Sequence, residues 1–348
     1  MLCKVINGVF LHETKYLSQK WFSSKSFYPQ NLNGKLSIIG VPFGKGQKKQ
    51  GKTEDGLKMA PDCLRQTGFI DILKDLGMDV EDLGNITYEP EVGLQHENMT
   101  NLDHFAPCAL QVSNCVSSAL QDCRACLMMG GDHSLATGSI HGHISVAGPQ
   151  NVGVIYIDAH ADINTASSSL SGNIHGMTVA MLAEELRKFW PNSQVPGLEW
   201  LTPCLPLGNI AFIGLRSVDP EETVFLDENN VAAYTMEDVE NYGLHKVLCE
   251  AIKRVDPNGN KSIHLSFDID SLDPLEAPCT TVPVRGGLTL REGIKIGETL
   301  CRTKRLSVVD FVEVNPPLGS EIQRQTTLDA AFHVLLSVFG YSRRGNPR

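Results

Sequence analysis

The chain has 348 residues, 42% of them hydrophobic, enough to bury a sizeable core in one large α/β domain or two smaller ones. Its 30 basic and 40 acidic residues give a formal charge of −10, with no long basic run and few aromatics set among Lys or Arg. That pattern argues against a nucleic-acid partner and suits a small or cationic substrate. No stretch reaches the roughly 18 uninterrupted apolar residues of a membrane span, so a soluble protein with no membrane partner is expected.

In chain order, residues 1–34 come first and carry Lys4, Lys15, Lys20 and Lys25 against the single acid Glu13. This composition suits an organelle transit peptide, although Arg is lacking, and a docked or disordered arm accounts for it as well. A mitochondrial location is favoured on that ground over a cytoplasmic one. Residues 35–348 show no internal repeat and no low-complexity linker, and are read as one domain.

Six short apolar runs follow: "LSIIGVPFG", "CLMMGG", "VGVIYID", "NIAFIGLR", "IHLSFDID" and "LSVVDFVEVN". They lack polar alternation, the mark of strands buried on both faces, so they predict a central, mostly parallel sheet flanked by helices on both faces. Between and after them, "HGMTVAMLAEELRKFW", "TMEDVENYGLHKVLCEAIKRV" and "SEIQRQTTLDAAFHVLLSVFG" have helical periodicity, the second behind a Thr-x-x-Asp capping signal. The ten cysteines are scattered and read as free thiols of a reducing compartment, the pair Cys123 and Cys126 included.

The charged motifs "GGDHS", "DAHAD", "DID" and "EVN" each sit at or just past the end of a predicted strand, where open α/β sheets place their ligands. Asp158, His160 and Asp162 occupy every second position after an apolar run; on a strand they would share one face within about 13 Å, at roughly 3.3 Å per residue. An isolated DxD is more often a turn carboxylate than a ligand. The set His133, Asp158, His160, Asp162, Asp268 and Asp270 is different, because four neighbouring buried carboxylates without compensation force some to protonate. Two divalent cations remove that difficulty. Oxygen-rich ligation with a minority of His and no Cys favours Mn²⁺ or a similar ion, and a pair of such ions activates water for hydrolysis.

The motifs "GGDHS", "DAHADINT", "SGNIHG", "SFDIDSLDP", "GGLTLREG" and "EVNPPLG" resemble, in order and spacing, the dimanganese ureohydrolases and within them the arginases. The resemblance spans about residues 36–344 and implies an arginase/deacetylase-like fold with two Mn²⁺ per subunit. One ion would be held by His133, Asp158, Asp162 and Asp268, the other by His160, Asp158, Asp268 and Asp270. A bridging hydroxide would attack the guanidinium carbon of L-arginine, giving L-ornithine and urea. Asp162 would carry a proton to the leaving amine, His175 would serve as acid/base near the mouth, and Glu313 would pair with the guanidinium. Taken alone, His175 reads as a loop residue satisfied by backbone, whereas a Glu inside an apolar strand needs a partner. Asn164, Ser169 and Ser171 would hold the α-carboxylate, and Asp219 with Glu222 the α-amino group. Arg343 matches a position that reaches a neighbouring subunit in trimeric arginases, which implies a homotrimer.

The sequence departs from the family pattern at Val282, Thr281, Ser217 and Ala166. Val282 keeps open an enzyme for another guanidino compound, agmatine or guanidinobutyrate. A non-catalytic arginine-binding homologue is the reading from a different class, opposed by the full set of ligands with His175 and Glu313. A deacetylase would be expected to carry a one-zinc site instead.

Overall fold

In the computed structural model, which describes residues 34–48, 51–190, 195–341 and 343, the first apolar run forms β1 (Lys35–Gly40). The N-terminal arm expected over 1–34 lies, save Gly34, outside the described residues. Two helices, α1 (Lys52–Gln66) and α2 (Phe69–Asp75), lead to β2 (Asp79–Asn85). The long helix α3 (Leu102–Gln121) precedes β3 (Ala125–Met129), and α4 (Ala136–Ala147) precedes β4 (Val152–Ile157). A short α5 (Thr178–Leu182), then β5 (Ile210–Leu215), α6 (Pro220–Glu228) and β6 (Ala232–Thr235) follow. The chain continues through α7 (Met236–Tyr242), α8 (Leu244–Val255), β7 (Ser262–Asp268), α9 (Leu290–Thr303), β8 (Leu306–Val312) and α10 (Glu321–Val338).

The strands form one eight-stranded sheet in the order β2-β1-β3-β8-β7-β4-β5-β6, with every pairing parallel. All six predicted strands are present. The two the periodicity did not mark, β2 and β6, are the edges. β2, "DVEDLGN", is largely exposed, and its charges suit an edge that must not recruit another strand. In the interior, β3, β4 and β5 are buried at every position because a core lies against each face. One core gathers Leu64, Phe69, Leu248, Ile296 and Leu335 against Ile155, Leu265 and Phe311, and the other gathers Phe105, Val112 and Ile140 against Val154, Tyr156 and Val308.

Two predicted helices are broken. The stretch after His175 is α-helical only to Leu182, because Ala183 turns extended and bridges Leu205 while Glu185 accepts the Leu207 amide. The stretch 235–255 is two helices, since Gly243 takes φ 80° and ψ 139° between α7 and α8. The cysteines described are all free, and Cys108, Cys126, Cys279 and Cys301 are buried.

Candidate metal centre

The site lies at the C-terminal ends of the four central strands. After β3 the chain passes through Gly130 and Gly131 at φ 93° and 58°, and a Cβ on Gly131 would meet the Phe43 carbonyl at 2.7 Å. This turn delivers Asp132, which accepts the amides of Ser134 (3.2 Å) and Gly46 (2.7 Å) and so starts the 3-10 turn bearing His133. After β4, Oδ1 of Asp158 accepts the His160 amide at 2.7 Å, and at the end of β7 Oδ1 of Asp268 accepts the Asp270 amide at the same distance. A turn role and a ligand role can therefore coexist in these motifs: Oδ1 caps each turn and Oδ2 faces His133, while Oδ1 of Asp158 also faces His160. The Asp158–Asp162 segment is not a strand, since β4 ends at Ile157 and Asp162 takes a left-handed φ of 49°.

Nδ1 of His133 lies 2.8 Å from Asp158 Oδ2, 3.2 Å from Asp268 Oδ2 and 3.3 Å from Asp162 Oδ2. Nδ1 of His160 lies 3.3 Å from both Asp158 Oδ1 and Asp270 Oδ2. The atoms fall into two triads, His133/Asp158/Asp268 and Asp158/His160/Asp270, each with its donors within 4.8 Å of one another and both sharing Asp158. Burial and the Asp158 charge push the Asp162 carboxyl up to about 7 and that of Asp270 up to about 6. Burial pulls His160 down, but Asp158 and Asp270 outweigh it and push the imidazole up to about 12.

These residues fit a pair of cations. Despite their 2.8 Å separation, His133 Nδ1 and Asp158 Oδ2 lack hydrogen-bond geometry, and both are buried atoms with no hydrogen-bond partner. Nε2 of His133 is engaged by the Ser266 hydroxyl at 2.9 Å, which leaves the Nδ1 lone pair facing the carboxylates. Nitrogen and carboxylate oxygen without sulfur suit a hard-to-borderline divalent ion.

Beside the triads, Glu313 Oε1 accepts the His133 amide (3.0 Å) and lies 3.2 Å from His175 Nδ1, while Oε2 is buried without a partner. Burial works against its charge, but His175 holds the Glu313 carboxyl below the ordinary range. Burial likewise lowers His175, and Glu313 reverses this and raises it to about 9. Glu313 is the second left-handed residue of the site, at φ 61°. Asn164 donates to Asp219 Oδ2 at 3.0 Å, and the hydroxyls of Ser169 and Ser171 lie 3.4 Å apart. Glu222 differs from its neighbours: its two oxygens accept the amides of Ile163 (3.0 Å) and Asp219 (2.9 Å), so it supports the start of α6.

A cleft of about 310 Å³ unites these groups, and every candidate residue named from the sequence lines it except the fully buried Asp158. A groove of about 600 Å³ beside the starts of β5 and β7, lined by Lys253, Arg254 and Lys261, brings together none of them. Val282 and Ser217 line the cleft; Thr281 is buried, is not among the positive-φ residues, and accepts a hydrogen bond from Asn315, so that position does not require glycine. Sequence reasoning passed over Tyr156, Ser266 and Asp132. The first two stand two residues before Asp158 and Asp268, the strand phase that puts them on the ligands' face.

A parallel α/β sheet whose central strands bring two His/carboxylate triads to one cleft defines a binuclear metallohydrolase. The chain belongs to the arginase family: the model described as "Arginase family" matches residues 34–340. It is 41% identical over 313 residues to the hepatic arginase of Aquarana catesbeiana, covering 89% of this chain and 94% of that protein. With the mitochondrial arginase-2 of Homo sapiens it shares 38% identity over 313 residues, 89% of this chain and 86% of that one. The arginase of Bacillus caldovelox superposes with a TM-score of 0.77 at 34% identity, covering 89% of this chain and 99% of that structure.

Proposed function

We propose that the protein hydrolyses L-arginine to L-ornithine and urea. The observation that carries this reading is the union, in one cleft, of two His/carboxylate triads with Glu313, whose Oε2 is buried and unpartnered. His133, Asp158, Asp162 and Asp268 would hold one cation and His160, Asp158, Asp268 and Asp270 the other, Mn²⁺ being the ion this donor set suits. Such a pair supplies a nucleophile at neutral pH by acidifying water.

The protein's own groups bind, orient and move protons. Glu313 meets the planar guanidinium, a match that charge-assisted hydrogen bonds make specific. His175, with Nδ1 turned to Glu313, exchanges a proton at Nε2, and Asp162 does so at its carboxylate with the leaving amine. Asn164, Ser169 and Ser171 receive the α-carboxylate. Asp219 receives the α-amino group, and Glu222 acts through the backbone that holds Asp219. A second reading, a guanidino substrate without a carboxylate such as agmatine, is favoured by the apolar Val282 on the cleft wall.

Two finer readings belong with this one. A homotrimer rests on the position of Arg343, whose Nε lies 3.2 Å from Glu298 Oε1 within the single chain. A mitochondrial rather than cytoplasmic location rests on the composition of residues 1–34.

The test is urea release after Mn²⁺ loading, with L-arginine and agmatine in parallel and a chelated sample as blank. Cation-dependent turnover that prefers arginine is expected. Turnover of agmatine alone would overturn the amino-acid contacts, and silence on both substrates would overturn the activity.

A further inference from the structure

The fully buried side chain of Tyr156 touches two of the candidate ligands, His133 and Asp162. Tyr156, on β4, is register partner to Ser266 on β7, which is in turn register partner to Asp310 on β8. The three form a row across the sheet, one pleat below Asp158 and Asp268 and on the same face. The Tyr156 ring stacks on His133 with centroids 4.5 Å apart and planes 9° from parallel. Its hydroxyl donates to Asp162 Oδ2 at 2.8 Å. That same oxygen lies 3.3 Å from His133 Nδ1.

We propose that Tyr156 is a positioning residue of the metal centre: it seats the His133 ring by stacking and holds Asp162 Oδ2 beside His133 Nδ1, so that one side chain sets two ligands of a single cation. The division of labour with Ser266 follows from the contacts. Ser266, at 2.9 Å from Nε2, fixes which nitrogen of His133 faces the carboxylates, and Tyr156 fixes the plane in which it does so. A buried phenol requires a polar partner, and here that partner is a carboxylate on a left-handed residue at φ 49°. The hydroxyl occupies one lone pair of Oδ2, which restrains Asp162 from swinging away from His133. Ligands contributed by His160 and Asp270 have no contact with Tyr156 among those described, so the device acts on one cation position and not the other.

This inference rests on the reading that the cluster holds two cations, and the experiment separates the two claims. The full-length protein, stripped by chelation, is titrated with Mn²⁺ by calorimetry as wild type, Tyr156→Phe, Asp162→Asn and the double variant. Wild type is expected to bind two ions; failure to bind any overturns the metal reading and takes this inference with it. Tyr156→Phe keeps the ring, and is expected to weaken one of the two binding events about 10- to 100-fold, the range for partners that orient a ligand, while the other event is unchanged. In the Asp162→Asn background the loss of the hydroxyl should add little further. Equal affinities in wild type and Tyr156→Phe overturn the proposal, as does an equal weakening of both events that persists in the Asp162→Asn background. If the Phe variant does not fold, Tyr156→Met, which fills much of the volume without a strong donor, takes its place with the same one-site loss expected.

Discussion

Glu313 combines three features that a strand-end carboxylate seldom shows together: a left-handed backbone, near-complete burial, and one oxygen with two neighbours beside another with none. Strained backbone of this kind persists where the surroundings over-determine it, and it clusters at working sites. Replacing Glu313 with Gln keeps an acceptor for the His133 amide but removes the charge that, in the proposed function, would face the guanidinium. A charge-assisted hydrogen bond is worth about 1.5–3 kcal/mol, so kcat/KM for arginine should fall about 10- to 100-fold with cation content unchanged, as steady-state assays and metal analysis will show. At this scale the six candidate ligands were legible, because charged residues that follow buried apolar runs have few bland explanations. Tyr156 and Ser266 were not, because a Tyr and a Ser within such runs read as ordinary strand positions. Nothing in the letters marks Asp162 or Glu313 as left-handed, since that follows from the meeting of segments far apart in the chain.

Between elements, α3 and α4 approach backbone to backbone: a Cβ on Gly138 would lie 2.2 Å from the Ala109 carbonyl and one on Gly142 2.6 Å from that of Ser113. Backbone cannot yield as a flexible side-chain tip can. Gly138→Ala should therefore push the helices apart and cost about 1–3 kcal/mol, in the range for an overpacked core, despite alanine's better helix propensity. A lower urea midpoint with an unchanged slope will report it. The six strands were legible at this scale because β-strands covered on both faces leave continuous apolar runs. The edges β2 and β6 were not, since a half-exposed edge has no such signature. The helical period likewise ran past Leu182 and across Gly243, where a bridge to Leu205 and a left-handed glycine decide the outcome instead.

For the whole molecule, the cluster links stability to pH. In the absence of cations Asp162 and Asp270 are raised to about 7 and 6 from 3.8, and His160 to about 12 from 6.5. Each shift means that the folded state binds protons more tightly than the unfolded chain, so their stabilisation is complete at low pH and is lost as pH rises through the folded values. Asp158 and Glu313 are shifted down, and their contribution fades only as pH falls through and below the ordinary carboxylate range. Chelated protein should accordingly melt at progressively lower temperature between pH 5 and 8, and Mn²⁺ should flatten or reverse that trend. Parallel melting curves with and without the ion would sink the assignment of the cluster as a cation site. The fold class and the crevice were legible from the run of strands; the strand order, which brings β3, β8, β7 and β4 side by side, is a property of the closed sheet alone.

That order has a kinetic consequence. His133 and Glu313 touch across 180 residues of sequence, and the ligands from β4 and β7 meet only when those strands have found each other. A cation therefore has nothing complete to bind until the slow, long-range pairings are made. It should leave the refolding rate nearly untouched and act by retarding unfolding, as interactions absent from the transition state do. Stopped-flow mixing with and without Mn²⁺ should show one changed limb, the unfolding one; a faster refolding limb would mean that the site assembles early. The cation then serves as a latch on a finished sheet, and the lifetime of the folded chain is set by how often that latch is lifted.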